Sequence, residues 1–114
     1  MSVDKITIYS GYASEGDTPK ISIEKALELA KAEFFKGMDV DAIKSSENIL
    51  LSVAYCSYND IIKNYYGEAK IKEISKEGNW EWIIKFSNTK VSDDYSIFMV
   101  TQDGRVLLVE WCCL

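Results

Sequence analysis

The sequence predicts an α+β fold, with two helices packed on one face of a curved antiparallel meander of four to five strands. Three observations lead there. Residues 79–112, NWEWIIKFSNTKVSDDYSIFMVTQDGRVLLVEWC, divide into three apolar runs separated by polar turns. Within the first run Trp80, Trp82, Ile84 and Phe86 alternate with Glu81, Ile83, Lys85 and Ser87, the period of a strand. Upstream, Ile23, Ala26, Leu27, Ala30, Phe34 and Met38 recur at helical spacing, so one helix presents a continuous apolar face to that sheet.

Each element has its own warrant. Residues 3–9 contain Ile6 and Ile8 in alternation and suit a short first strand at a sheet edge, followed by a breaker-rich loop over 10–20 that holds the single proline, Pro19. Ser22 is placed to cap the first helix, with Glu24 at the positive end of its dipole and Gly37 as a stop. Asp39 to Ser46 reads as a polar connector. The stretch NILLSVAYCSYNDIIKNYYG admits a strand around Val53 and Tyr55, but Leu51, Ala54, Tyr55, Tyr58, Ile62 and Tyr65 share a helical arc, so a second helix ending at Gly67 is preferred. EAKIKEIS, residues 68–75, reads as a short charged strand, and 76–79 as a turn. Asp103-Gly104 predicts a two-residue type I′ hairpin in which Val100 faces Leu107, Phe98 faces Val109 and Ser96 faces Trp111, with Met99 beside Leu108 and Ile97 beside Glu110 on the other surface.

Composition narrows the function. At 114 residues the chain has the size of one domain, spanning 1–114, with 47% hydrophobic and 27% charged residues, which excludes disorder as its main state. A net charge of −5 without a basic cluster disfavours nucleic acid and favours a basic protein partner. No uninterrupted apolar stretch is long enough to span a bilayer and no secretory leader is evident, so no membrane partner and a cytoplasmic location are expected. There is no histidine, which removes the commonest general base and zinc ligand, and the six glycines form no phosphate-binding pattern. No enzyme activity, cofactor or metal is therefore expected.

Other chemistry is outweighed by simpler roles. Asp39 with Asp41, and Asp93 with Asp94, lack the ligand spacing of a calcium loop. Cys56, Cys112 and Cys113 are odd in number and lack CxxC spacing, and the adjacent pair diverges on a strand, so all three read as reduced thiols. Trp80, Trp82 and Phe86 could stack bases but suit a core. Glu73, Glu81 or Glu110 would matter as acids or bases only if buried.

Ile23-Glu24-Lys25-Ala26-Leu27-Glu28-Leu29-Ala30, followed by Trp80-x-Trp82-x-Ile84 and Asp103-Gly104-Arg105-Val106, resembles the helix and strand signature of PepSY-like domains. The same helix, with Tyr66-Gly67 ahead of the tryptophan strand and the terminal DGRV turn, is similar to small NTF2-fold immunity proteins of bacterial toxin systems. These resemblances imply an NTF2-, cystatin- or PepSY-like cone and either an immunity role or a regulatory, inhibitory module, and an NTF2-like ligand-binding protein or enzyme is a further alternative. Together with acidity and small size, they lead to an expected inhibitor of a basic, nuclease-type toxin. Because two helices cover one broad face, the row Tyr95, Ile97, Met99 and Leu108, rimmed by Glu81, Glu110, Asp93 and Asp94, is the expected partner surface, open equally to homodimerisation.

Overall fold

The structure, a computed structural model, describes residues 5–9, 19–36, 49–88 and 94–112. It is an α+β fold. Five strands form one sheet in the order β1 (Lys5–Tyr9), β2 (Ile49–Ser57), β3 (Trp80–Asn88), β4 (Tyr95–Val100) and β5 (Val106–Cys112). The last four form an antiparallel meander, and β1 pairs in parallel with β2, Lys5 facing Leu50 and Tyr9 facing Ala54. A parallel pair needs a crossover, and α1 (Ile23–Lys36) lies in that connection. Two shorter helices, α2 (Tyr58–Asn64) and α3 (Glu68–Ile74), fall between β2 and β3.

The helix α1 forms as its sequence leads one to expect. The Ser22 hydroxyl accepts from the Lys25 amide at 3.1 Å, satisfying one of the unpaired donors of the first turn. Ala26 and Ala30 are fully buried, and their small size lets the helix lie close to the sheet while Phe34 reaches down to stack on Phe86 with ring centroids 4.2 Å apart. The expected stop at Gly37, the connector from Asp39 to Ser46, Met38, most of the 10–20 loop, Asp93 and Cys113 lie outside the described residues.

Residues 49–57 are a strand, not the first half of a helix. Ile49, Leu51, Val53 and Tyr55 are buried against α1, while Ser52, Ala54 and Cys56 point the other way. Two competing periods run through this segment, and the neighbours on either side decide between them: β1 and β3 both supply backbone partners, which a helix here would leave unpaired. Ser57 then caps α2, its hydroxyl accepting from the Asp60 amide at 3.3 Å. Residues 68–74 are helical where a strand was expected. Glu, Ala and Lys are good helix formers, and Lys72 meets Glu68 one turn away at 2.7 Å.

This exchange of elements redistributes the cover of the sheet. On one face α1 packs against Leu51, Val53, Tyr55, Trp82, Ile84, Phe86, Phe98 and Val100. On the other, Ile61 of α2 and Ile71 of α3, both fully buried, pack against Ile83, Ile97, Met99 and Val109. Helices therefore lie on both faces, instead of two on one. The meander itself agrees with expectation, with Trp82, Ile84 and Phe86 on one side of β3 and Ile83 on the other.

The closing hairpin differs in detail. Thr101 and Arg105 pair across a loop of Gln102, Asp103 and Gly104, in which the Gly104 amide bonds the Thr101 carbonyl at 3.0 Å and only Gly104 has positive φ, at 87°. A type I′ turn needs positive φ at Asp103 as well; this is a type I turn followed by a left-handed glycine. The longer loop shifts the register by one. Val100 faces Val106, Met99 faces Leu107 and Phe98 faces Leu108, until an extra residue at Val109 restores the expected pairs Ile97 with Glu110 and Ser96 with Trp111.

Candidate functional site

Among the described residues, strand β5 has β4 on one side and no strand on the other. An open edge offers backbone donors and acceptors to a partner, and proteins blunt such edges unless they use them. Here the bulge at Val109 interrupts the edge and the link between α2 and α3 crosses it: a Cβ on Gly67 would stand 2.5 Å from the Val109 carbonyl oxygen, so only glycine permits this approach. On either side of the crossing the strand stays accessible.

Large apolar side chains gather there. Leu108 is 41% exposed, Trp111 62% and Tyr66 90%, and these are the exposed large hydrophobic residues among those described. Leu108 and Trp111 face the same way as Phe98 and Ser96, their partners on β4, beyond the reach of α1. Tyr66 stands on the opposite side, where its amide donates to Glu110 Oε1 at 3.4 Å and the Tyr95 hydroxyl donates to Oε2 at 2.8 Å. Both carboxylate oxygens of Glu110 are thus engaged, which fixes a negative charge in the middle of the edge. The same bond, reinforced by burial, pushes Tyr95 up to about 12, so it stays a neutral donor. Asp94 immediately precedes β4 and accepts from Asn88 Nδ2 at 3.2 Å.

Of the expected partner residues, Leu108 and Glu110 lie on β5 with their side chains on opposite faces, and Tyr95, at the start of β4 next to Asp94, bonds Glu110. Ile97 and Met99 are only 5% and 0% exposed beneath α2 and α3, because the segments expected to lie elsewhere come over this face. Glu81 is also buried, at 1%. Trp111 and Tyr66 were missed. Trp111 was paired correctly with Ser96, and a tryptophan opposite a small polar residue on a last strand was the available signal.

A second, polar feature lies at the other end of the meander. A cavity of about 270 Å³ is lined by Ile74, Lys76, Asn79, Glu81, Thr101, Gln102, Asp103 and Arg105. Burial pushes the Glu81 carboxyl up, and the Gln102 amide, donating to Oε1 at 3.3 Å, together with the nearby Ser75 hydroxyl, pulls in the opposite direction. Ser75 is itself buried without a hydrogen bond of good geometry. Arg105 donates through Nε to both Asp103 oxygens, at 3.2 and 3.1 Å, and through Nη2 to the Ile74 carbonyl at 2.8 Å. Gln102 reaches the Tyr55 hydroxyl at 2.7 Å and the Trp80 carbonyl, and its Oε1 accepts from the Lys20 amide at 2.8 Å. Arg105 and Gln102 thus tie the β4–β5 turn to the end of α3, to β2 and β3, and to the approach to α1.

The Cys56 thiol shows no activation. Burial, with Asp60 adding to it, pushes Cys56 up to about 11, which keeps it protonated at neutral pH. Among the described residues no three Cys, Asp or Glu side chains converge on a point where a metal would sit. Comparison with known proteins returns no matching family model, no matching curated protein and no matching solved structure.

Proposed function

We propose that this is a small acidic binding protein of the immunity type, which neutralises a basic bacterial toxin domain, of nuclease character, by occupying it in the cytoplasm. One observation carries the proposal: in a molecule of net charge −5, the exposed large apolar side chains of the described residues gather at the β5 edge, Trp111 and Leu108 on one face and Tyr66 on the other, where the Tyr66 amide and the Tyr95 hydroxyl hold the carboxylate of Glu110. Tryptophan and tyrosine dominate the energetics of protein interfaces, and an acidic setting steers a basic partner towards them. Co-expression with the toxin domain encoded beside it tests this. Cells should survive with the wild-type protein and die with a Trp111→Ala, Glu110→Lys double variant that folds normally, whereas survival with both would place the interface elsewhere.

A small-ligand or enzymatic role is the second reading, favoured by the buried Glu81 carboxyl at a polar cavity. The two separate on one variant. Glu81→Gln should leave protection intact if the edge acts alone, and should abolish function if the cavity does the chemistry.

A further inference from the structure

A groove of about 230 Å³ opens on the α2 side of the sheet, over β2 and β3 and two strands in from the β5 edge. Two cross-strand pairs form its floor, Ser52 opposite Lys85 and Ala54 opposite Ile83. Tyr65, the residue that caps the end of α2, closes one side, and the backbone at Val53 completes the lining. Helices α2 and α3 cover the neighbouring strands through Ile61 and Ile71 and leave this part of the face open.

Among the described residues that line the groove, Lys85 brings an ammonium, Tyr65 and Ser52 bring hydroxyls, and none is acidic. Tyr65 is pushed up to about 12, first by its burial, so its hydroxyl keeps the proton it would donate. Lys85 takes part in none of the ion pairs found among the described residues; its ammonium lies 4.8 Å from the centre of the Tyr95 ring instead. The half-buried Lys85 thus leans on an aromatic face at the rim of the groove, and among the described lining residues it meets no carboxylate. Beside these donors Ala54 and Ile83 supply an apolar floor.

The geometry points to a binding site for a small organic carboxylate with an apolar body, its carboxylate bonded by Lys85 and the Ser52 and Tyr65 hydroxyls and its body laid on Ala54 and Ile83. The volume sets the size class. Pockets for drug-sized molecules start at about 300 Å³, so this groove suits a single ring or a short branched chain. The assignment does not depend on the β5 edge and stands or falls separately from the toxin-binding proposal.

Titration of the full chain with benzoate, with its neutral isostere benzamide and with inorganic phosphate, followed by amide chemical shifts, tests it. Benzoate should shift residues 52–54, 65 and 83–85 and saturate, while benzamide and phosphate should bind there roughly tenfold more weakly or worse, as expected when a charged hydrogen bond or the apolar contact is lost. Lys85→Met should lose benzoate to a similar degree, and Ala54→Leu, which fills the floor without touching the charge, should exclude it. Equal binding of benzamide would show that charge plays no part, equal binding of phosphate would show that the floor plays none, and an absence of shifts at the groove would remove the site. Either outcome with Lys85→Met is informative, because a native spectrum of the free variant establishes its fold, and Ala54→Leu gives an independent result if that variant fails to fold.

Discussion

The two faces of the sheet are built from different materials. The face under α1 is aromatic: Phe34, Phe86 and Phe98 contact one another, and Tyr55 lies against both Trp80 and Trp82. Its polar tips are bonded: the Trp82 indole nitrogen donates to the Ile21 carbonyl at 2.9 Å and the Tyr55 hydroxyl accepts from Gln102 at 2.7 Å. The face under α2 and α3 has an aliphatic centre of Ile61, Ile71, Ile83, Ile97, Met99 and Val109, and around that centre lie Glu81, Cys56, Lys85, Tyr65 and Tyr95. A single helix of fourteen residues can bring large rings to bear on one broad patch. Two helices of seven residues each cover less, and the sheet beyond their reach is where charged and polar groups find room. The division teaches that both faces hold a buried core, aromatic under α1 and aliphatic under α2 and α3, and that charged and polar groups gather around the second.

The largest effect expected from breaking this comparison is at Met99. Met99→Asp would place an unpaired carboxylate in a fully buried site, a cost that competes with the entire stability of such a domain, about 5–15 kcal/mol, so cooperative unfolding should be lost. A folded Met99→Asp protein would mean that α2 and α3 do not close this face. Phe86→Ala on the aromatic side should cost about 3–5 kcal/mol and Ile71→Ala on the aliphatic side about 2–5 kcal/mol in urea denaturation. No loss for Ile71→Ala would demote the second core to a surface contact.

Next comes the crossing over β5. Gly67→Ala should destabilise by about 1–3 kcal/mol, since its methyl would press on the Val109 backbone and lift the link between α2 and α3. Amide exchange should quicken in α3 and at Val109 more than in α1; uniform quickening would argue against a local crossing.

At Glu81 the effect is a pH dependence. Its carboxyl is raised in the folded state, so the folded protein holds the proton more tightly than the unfolded one, and stability contributed by the neutral form is present below the ordinary carboxylate range. It is lost as pH rises through the raised value. Glu81→Gln should flatten this fall in a plot of denaturation midpoint against pH, and an unchanged slope would assign the dependence to another group. The smallest effect on stability belongs to the edge: Trp111→Ala should change it by less than about 0.5 kcal/mol, the usual range for exposed positions, while costing about 2 kcal/mol or more in partner affinity if Trp111 is a hot spot. Calorimetry on one variant measures both.

Some of this was legible because the signal lay within a few residues. Ser22 as a cap, the helical spacing through Phe34 and the alternation from Trp80 to Phe86 each depend on neighbours along the chain, and each is found where expected. The exposure of the residues expected at a partner surface was legible only in part. Leu108 and Glu110 lie on the edge strand and Asp94 and Tyr95 stay partly accessible at the start of β4, but Ile97 and Met99 share a strand face with Tyr95 and pass beneath the helices, a distinction that depends on what folds over them. Ser57, three residues ahead of Asp60, was a local cap signal that would have ended the preceding element and started α2 at the right place.

By itself, then, the sequence determined α1, the last three strands of the meander and the acidic character of the molecule, because each follows from periodicity, capping or composition over a short window. Tertiary structure alone decided that 49–57 is a strand, through backbone partners on β1 and β3 that are distant in sequence. It also decided that 68–74 is a helix, where Ile71 and Ile74 turn one apolar side to Val109 and its neighbours. The register of β5 was settled between the two: a turn one residue longer than the shortest hairpin shifts every pair, and the bulge at Val109 shifts them back so that Val109 can enter the second core while Glu110 meets Tyr95 and Tyr66. Non-local hydrogen bonds and burial outweigh local propensity wherever two periods fit the same residues, and in this chain they do so in the segments that cover or build the second face.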